Sequence, residues 1–204
     1  MTKPSGPARP SFGSGHLPEP RRQTPLSRLT LRDPLTRLYN RRYFEGRLRS
    51  AFAFAERHGT LLGLLLVDID HFEQVNDTCG HAVGDVVLKL VAGSIQKIIR
   101  PEDVLVRYGD TEFVVIVCAT SLRNLEILGS RMCRRVAALA PDLAENAVTV
   151  TVTVSVGAAC MGPDVPCASA EALLGAADQA LHQAKTTGRN RVSTTRLSEQ
   201  RPPR

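Results

Sequence analysis

The chain has 204 residues, of which 43% are hydrophobic and 23% charged. This composition is typical of a folded protein and excludes a collagen, a coiled coil and a wholly disordered chain, while the length allows one ordinary α/β domain with tails. Apolar runs stay well short of the ~20 residues that a membrane span needs, and the N-terminus lacks the pattern of a secretion signal. The five cysteines include no CxxC pair, so we expect reduced thiols in a cytoplasmic protein.

The net charge of +6 is unevenly distributed. Residues 1–32 sum to +5 and residues 191–204 to +3, which leaves −2 for residues 33–190. The first segment is also rich in proline and buries too little surface to order itself. We therefore predict disordered tails over residues 1–29 and 195–204. A solvated arm is the simpler interpretation of the first tail, and contact with an acidic partner, a membrane surface or nucleic acid is the alternative. The folded part shows no basic, aromatic-studded face, so we expect no nucleic-acid binding.

The first half of the folded region predicts a helix, a strand and a second helix. Apolar residues at helical spacing indicate a helix over residues 41–58. The apolar run Leu61–Val67 indicates a central strand that is buried on both faces. Helical spacing returns over residues 84–99.

The second half opens with a hairpin. Two apolar runs, over residues 103–108 and 112–118, are separated by a Gly-Asp-Thr turn. A helix is predicted over residues 122–139, and the alternation of Val and Thr over 148–156 predicts a strand with one polar face.

A helix over residues 169–186, stopped by Gly188, and an edge strand over 192–194 complete the series. The order of elements favours an α/β sandwich of two or three layers around a mixed sheet.

Acidic residues follow the first predicted strand. Asp68 and Asp70 stand at its C-terminal edge, where carboxylates suit a hard cation such as Mg²⁺, although solvated acids also end many strands. If the hairpin lies beside this strand, Asp68 and Glu112 face one ion. Glycines at positions 80 and 84 permit a tight loop whose amides would accept a phosphate, and a capped helix start is the alternative.

These stretches together resemble the four signature motifs of the GGDEF domain family. The motifs lie in residues 33–42, 68–85, 100–113 and 177–192. The resemblance covers the segment 30–194, which we predict to be one GGDEF domain. Active members are diguanylate cyclases, in which two facing domains join two GTP molecules into cyclic di-GMP and release pyrophosphate. The implied fold is α/β (α+β), a mixed, mostly antiparallel five-stranded sheet flanked by helices, of the nucleotide-cyclase or palm type.

The resemblance implies a role for each retained position. The implied metal ligands, for Mg²⁺ when GTP is bound, are Asp68, the Ile69 carbonyl and Glu112. The implied nucleotide contacts are Asn76 and Asp85 for guanine, and Lys185 and Arg189 for the terminal phosphates. From the residues alone, cations near a helix C-terminus suit either dipole compensation or phosphate contact.

The signature itself departs from the family pattern. Gly109-Asp110-Thr111-Glu112-Phe113 stands where the family has Gly-Gly-Asp/Glu-Glu-Phe. Thr111 cannot supply the carboxylate that binds metal and helps to deprotonate the attacking hydroxyl. Asp110 tolerates a left-handed turn but does not replace that carboxylate, because neighbouring strand positions point to opposite faces. We expect a loss on the order of a thousandfold or more in rate.

Three lesser departures accompany it. Glu73 stands where the family has a phosphate-binding lysine, which should weaken GTP binding. His182 replaces a common tyrosine, and Arg37 replaces a usual glycine.

A second motif is intact. Arg100 and Asp103 form an RxxD motif that ends five residues before Gly109. The resemblance implies that this is the position of the family's inhibitory site for cyclic di-GMP. RxxD alone is weak, since it also describes an exposed ion pair. Arg131 falls on a secondary arginine of that site, which the family supplies from a partner domain, and its alternative is an exposed charge.

The leading hypothesis is a cyclic di-GMP receptor that binds through the RxxD and has little or no cyclase activity. The alternatives are an active diguanylate cyclase with feedback inhibition, and a GTP-binding module that gates a partner. We expect a homodimer on ligand binding or for catalysis, and input from dimerisation, ligand or another protein, because the first 32 residues are too few for a sensor domain.

Overall fold

The computed structural model describes residues 31–139, 151–195 and 197. The elements in chain order are β1 (Tyr39–Asn40), α1 (Arg41–His58), β2 (Leu62–Ile69), α2 (Phe72–Cys79), α3 (His81–Gln96), β3 (Val104–Arg107), β4 (Glu112–Cys118), α4 (Leu122–Ala137), β5 (Val154–Met161), α5 (Ala170–Thr186) and β6 (Val192–Thr194). The predicted tails fall almost wholly outside the described residues.

The strands form one mixed sheet in the order β1-β3-β4-β2-β5-β6. The three central pairings are antiparallel, and the two outer strands pair in parallel with their neighbours. The predicted mixed, mostly antiparallel sheet is confirmed. It has six strands rather than five, because the two-residue β1 was not predicted.

Helices cover both faces of the sheet, so the sandwich has three layers. One core lies between the sheet and α3 and α4, with α2 at its margin, and contains the odd-numbered residues of β2 such as Leu65 and Val67. The other core lies between the sheet and α1 and α5 and contains Leu64 and Leu66. Because the sheet is covered on both sides, all eight residues of β2 are buried, as its continuous apolar run predicts.

The strand predicted over residues 148–156 is placed wrongly. Residues 148–150 lie outside the described part of the chain, and β5 runs from Val154 to Met161. The Val/Thr alternation predicted a half-polar strand, but all eight residues of β5 are buried between α4 and α5. Small residues such as Ala158 and Ala159 fill this strand because helices press on both of its faces.

The glycine-rich loop predicted before the second helix is also largely absent. Helix α2 occupies residues 72–79, and α3 begins at His81. Only Gly80 separates the two helices, with φ of 84°. The two-turn helix was missed because its apolar residues are too few to show a helical period.

Polar side chains cap the beginning of three of the helices. The side chains of Asn40, Ser121 and Ser169 each accept a backbone N–H from the first turn of α1, α4 and α5. The predicted hairpin is confirmed as the antiparallel pair β3–β4. Arg37 adopts φ of 62°, a left-handed conformation that explains why glycine suits this position.

The described residues contain no helix that is long and apolar enough to cross a membrane. All five cysteines are free thiols, as predicted. Burial raises the pKa of Cys133 and of Cys160 to about 11, so these two thiols stay protonated.

Two glycines provide a matched test of the packing between β5 and α5. A Cβ on Gly157 would lie 2.2 Å from the Ala177 carbonyl oxygen, whereas a Cβ on Gly175 meets nothing within 4 Å. We expect Gly157→Ala to lower the free energy of unfolding by about 3 kcal/mol or more, since α5 would have to shift. Gly175→Ala should raise it by about 1 kcal/mol. Urea unfolding of both variants tests this, and equal effects would contradict the register of α5 on β5.

Candidate nucleotide-binding site

Two carboxylates face each other across the centre of the sheet. The β2–β4 register places Asp68 directly opposite Glu112, and β5 places Ser155 opposite Asp68 on the other side. Paired residues of adjacent strands point to the same face, here the face that α1 and α5 cover. The predicted juxtaposition of Asp68 and Glu112 is therefore confirmed.

Both oxygens of the Asp68 carboxylate have partners within the protein. The Lys185 ammonium lies 2.9 Å from Oδ2, and the Thr111 hydroxyl donates to Oδ1 at 2.6 Å. Asp68 is 8% exposed, so this ion pair is screened less than one at the surface. Lys185, for which phosphate contact was expected, neutralises Asp68, and Thr111 satisfies the remaining oxygen.

Glu112 lacks such a partner among the ion pairs of the described residues. Partial burial raises the pKa of its carboxyl, and the negative charge of Asp68 raises it further, against an opposing effect of Lys185. The side chain folds over the hairpin turn, where a Cβ on Gly109 would lie 2.7 Å from Glu112 Oε2. A side chain at position 109 would therefore displace the Glu112 carboxylate. This turn, unlike the one expected, contains no left-handed residue.

Asp110 lies apart from this carboxylate pair. Its side chain is exposed, and its carbonyl oxygen accepts a hydrogen bond from Arg107 at 3.1 Å. No hydrogen bond or ion pair of its carboxylate is seen in the described part of the chain. Asp110 therefore does not occupy the position that Thr111 leaves without charge.

Arg107 also ties the hairpin to the segment before β1. Its guanidinium lies 3.1 Å from Asp33 Oδ1, and both side chains are 15% exposed. Burial by itself would raise the pKa of Asp33, but hydrogen bonds from Thr36 and the charge of Arg107 outweigh burial and lower it. Sequence reasoning missed this pair, although Asp33 and Thr36 stand in the first quoted motif.

The predicted guanine-contacting residues lie on the two helices that join at Gly80, Asn76 on α2 and Asp85 on α3. A Cβ on Gly84 would lie 2.0 Å from Asn76 Oδ1, so the Asn76 amide packs directly over Gly84. Asp85 follows Gly84, and both Asn76 and Asp85 are partly exposed. An amide and a carboxylate at such a junction can pair with the edge of a purine.

Asp70 has a structural role that the sequence did not indicate. This carboxylate, 5% exposed, accepts hydrogen bonds from the hydroxyls of Thr153 and Ser155, both at 2.7 Å, and from the Asn190 backbone at 3.1 Å. Asn190 and its neighbour Arg189 both have positive φ, 45° and 59°. Asp70 thus holds the turn after α5 in a conformation that non-glycine residues seldom adopt, and it fixes the backbone from which Arg189 projects.

The RxxD forms a closed turn. The Arg100 backbone N–H donates to Asp103 Oδ2 at 2.9 Å, and the Arg100 side chain is exposed. Asp103 is 9% exposed, and its Oδ1 has no hydrogen-bond partner. Burial raises the pKa of this carboxyl, against the lowering effect of the Arg100 N–H. Arg131 is exposed on α4, and no described contact joins it to this turn.

These residues fit a Mg²⁺ site poorly. Mg²⁺ prefers several oxygen ligands, including carboxylates, yet Asp68 already pairs with an ammonium and a hydroxyl. In residues 31–139 and 151–195, no three His, Cys, Asp or Glu side chains are grouped so that they would hold a metal ion. The carbonyl of Ile69 remains nearby but does not replace the missing carboxylate.

The structure thus has an α/β sheet with acids and a cation at one end and an amide and a carboxylate beside it, which makes this end of the sheet a candidate nucleotide-binding site. The family model described as "Diguanylate cyclase, GGDEF domain" matches residues 30–191. The chain therefore belongs to the GGDEF domain family of cyclic di-GMP signalling, and the resemblance drawn from the motifs is confirmed.

Individual relatives support this family assignment. The Escherichia coli (strain K12) protein named "Probable diguanylate cyclase DgcT" is 40% identical over 161 residues, which are 79% of this chain and 35% of that protein. The GGDEF domain of DgcB from Caulobacter crescentus, solved in complex with c-di-GMP, matches with a TM-score of 0.76 and 34% identity over 80% of this chain and 95% of that one. The chain thus spans about a third of the length of the curated relatives.

The diguanylate cyclase SiaD from Pseudomonas aeruginosa, solved with its activator SiaC, is similar as well. It matches with a TM-score of 0.75 and 34% identity, over 83% of this chain and 64% of that one. The fold of this chain is therefore that of solved GGDEF domains.

The raised pKa of Glu112 predicts a pH-dependent effect on stability. A carboxyl whose pKa is raised in the folded state destabilises the fold once pH rises through that pKa, and has no such effect when protonated. We expect Glu112→Gln to raise the free energy of unfolding at pH 7.5, by up to about 1 kcal/mol because the group is partly solvated. The gain should shrink toward pH 4.

Urea titrations of the unaltered protein and of Glu112→Gln, between pH 4 and pH 7.5, measure this gain in the free energy of unfolding. Glu45→Gln, at an exposed position of α1, is the control. A gain that grows toward low pH would contradict the assignment.

Proposed function

We propose that this GGDEF domain is a cyclic di-GMP receptor with little or no cyclase activity. The observation that carries the proposal is the closed contact of Asp68 with Lys185 and Thr111. A cyclase site needs an ionised group where Thr111 stands, and the hydroxyl of threonine stays neutral at any physiological pH. The homologous complex with c-di-GMP supports the choice of ligand for this chain.

The RxxD turn supports the receptor function. Arg100 presents an exposed guanidinium, which suits a phosphate or a guanine edge by paired hydrogen bonds. Asp103 Oδ1 is a buried acceptor without a partner, and a ligand N–H would satisfy it after a small opening of the turn. Arg131 would contribute from a second copy, which makes a ligand-linked homodimer part of the proposal.

The cytoplasm is the proposed location, consistent with the five free thiols. We propose that a protein partner reads the ligand-bound state. An active cyclase remains the competing function, because Asn76, Asp85, Lys185 and Arg189 are all present.

Turnover separates the two functions directly. Protein stripped of nucleotide is incubated with GTP and Mg²⁺, and the products are separated by chromatography. We expect no cyclic di-GMP above the level of the Glu112→Ala variant. Product above that level would overturn the receptor proposal and make the RxxD a feedback site.

Restoring the signature tests why the activity is lost. Thr111→Asp adds a third carboxylate beside Asp68 and Glu112, so with a chelator present the change should lower the free energy of unfolding by about 1–3 kcal/mol. Mg²⁺ should reverse this loss in the variant, because the paired carboxylates then have a cation to bind, and should change the unaltered protein little. Combined with Asp110→Gly, the change should create or raise cyclase activity.

Thermal unfolding with EDTA or Mg²⁺ is the measurement, and Asp110→Gly alone is the control, since the Asp110 side chain is exposed. An equally large Mg²⁺ effect on the unaltered protein would show that Thr111 leaves a working metal site.

Ligand binding tests the receptor half of the proposal. We expect Arg100→Ala to weaken cyclic di-GMP binding at least about tenfold, the effect of losing one charge-assisted contact of ~1.5–3 kcal/mol. Arg123→Ala removes an exposed arginine of α4 outside this turn and is the matched control. Calorimetric titration measures both, and equal affinities would show that the RxxD is an accidental motif.

A further inference from the structure

An aromatic stack lies at the edge of the sheet, where β1 leads into α1. The rings of Tyr39 and Tyr43 are parallel to within 11°, and their centroids are 3.7 Å apart. The Arg32 guanidinium lies 3.6 Å from the Tyr39 centroid, so it covers the face opposite Tyr43. Tyr43 is partly exposed, and no second ring or guanidinium of the described residues stacks on it. The stack therefore has one closed end and one end that can accept another flat ring.

Arginines surround this stack. The segment 31–47 contains five of them against two acids, and each acid pairs with an arginine side chain. The Arg32 guanidinium also donates to the Arg37 carbonyl at 3.2 Å, which brings that residue close to the stack. The surface formed by Arg32, Arg37, Tyr39, Tyr43 and Arg47 is the basic aromatic edge.

Arg47 stands one helical turn after Tyr43, on the same face of α1. Burial raises the pKa of the Tyr43 hydroxyl, and Tyr39 raises it further, while the charges of Arg47 and Arg32 oppose this rise. The hydroxyl therefore stays protonated at neutral pH, and the stack adds no negative charge beside the guanidinium groups. A flat ring on Tyr43 would thus have a cation close to its substituents.

All three tyrosines of the chain lie in this region, although aromatic residues make up only 4% of the sequence. Tyr108, which follows β3, has the Arg41 guanidinium 4.7 Å from its ring centroid and Phe44 packed edge-on at 5.2 Å. Low aromatic content was one reason to expect no nucleic-acid binding. The fold nevertheless gathers these few aromatic side chains on one basic surface.

The sequence before the stack adds to its positive charge. Residues 1–30 precede it directly and contain five basic residues against one acid. We propose that the basic aromatic edge binds single-stranded nucleic acid, with a base stacked on Tyr43 and phosphates contacted by the arginines. A polyanion suits this surface better than a single nucleotide, because the cations extend along the chain on both sides of one stacking position.

This site is independent of the proposed receptor function. Asp103 of the RxxD precedes β3 and Tyr108 follows it, and a strand of four residues is about 13 Å long. We therefore expect saturating cyclic di-GMP to leave oligonucleotide binding unchanged. Variants of the basic aromatic edge should likewise keep the affinity for cyclic di-GMP, so failure of this proposal is distinguishable from failure of the receptor function.

Fluorescence anisotropy of the full chain with a labelled oligodeoxythymidine of about 15 nucleotides is the first measurement. We expect saturable binding that weakens with salt, with a slope of log affinity against log salt concentration of about −3, because four or five phosphates each contribute about −0.7. An abasic oligonucleotide of the same length should bind at least about fivefold more weakly, since it has the phosphates but no base to stack.

Variants of α1 separate stacking from charge. Tyr43→Ala should weaken binding at least about fivefold, whereas Tyr43→Phe keeps the ring and should stay within about twofold. Arg47→Gln should weaken binding about threefold or more, because a phosphate contact is lost. Arg57→Gln removes an exposed arginine at the far end of α1 and should change the affinity less than about twofold. Melting temperatures show that each variant is folded, and Arg47→Gln and the abasic probe still test the proposal if Tyr43→Ala is not.

Three results would overturn the proposal. Equal affinity for the normal and the abasic oligonucleotide would exclude stacking. Equal weakening by Arg47→Gln and Arg57→Gln would leave only a general attraction between a basic chain and a polyanion. Binding of vesicles that contain anionic lipid, without binding of the oligonucleotide, would assign the surface to a membrane.

Discussion

Asp68 and Glu112 stand opposite each other across the β2–β4 ladder, and the site is arranged around their repulsion. Two carboxylates in a partly buried place cannot both ionise freely, so each needs a compensating group. Asp68 has the Lys185 ammonium and the Thr111 hydroxyl, while Glu112 has a raised pKa. The Lys185 ammonium and the Thr111 hydroxyl therefore compensate the charge of Asp68.

The scaffold around these groups does not depend on the residues that the signature has lost. Arg107 joins the Asp33 carboxylate to the backbone carbonyl of residue 110, an atom that any residue at that position would offer. Asp70 accepts three hydrogen bonds that do not involve Thr111, and one of them holds the turn after α5. The hairpin and the turn after α5 are therefore held by contacts that do not need the side chains of Asp110 and Thr111.

The net charge of a segment of the sequence does not show where its charged side chains lie in the folded structure. Residues 33–190 sum to −2, yet five of their cations line one pocket between α3 and α4. Helical periodicity produces this concentration, because residues three or four apart lie on one face of a helix. The acids collect instead at the loop end of the sheet.

Motif order and hydrophobic pattern alone determined the family, the mixed sheet and most of the helices, because buried apolar runs and cap residues are local signals. The pattern misplaced β5 and missed α2 and β1, since burial on both faces removes alternation and short elements carry no period. Side-chain partners were decided by tertiary structure. Whether Lys185 reaches Asp68, whether Asp70 is structural, and which arginine covers Tyr108 depend on the packing of elements distant in sequence, and no local pattern encodes those distances.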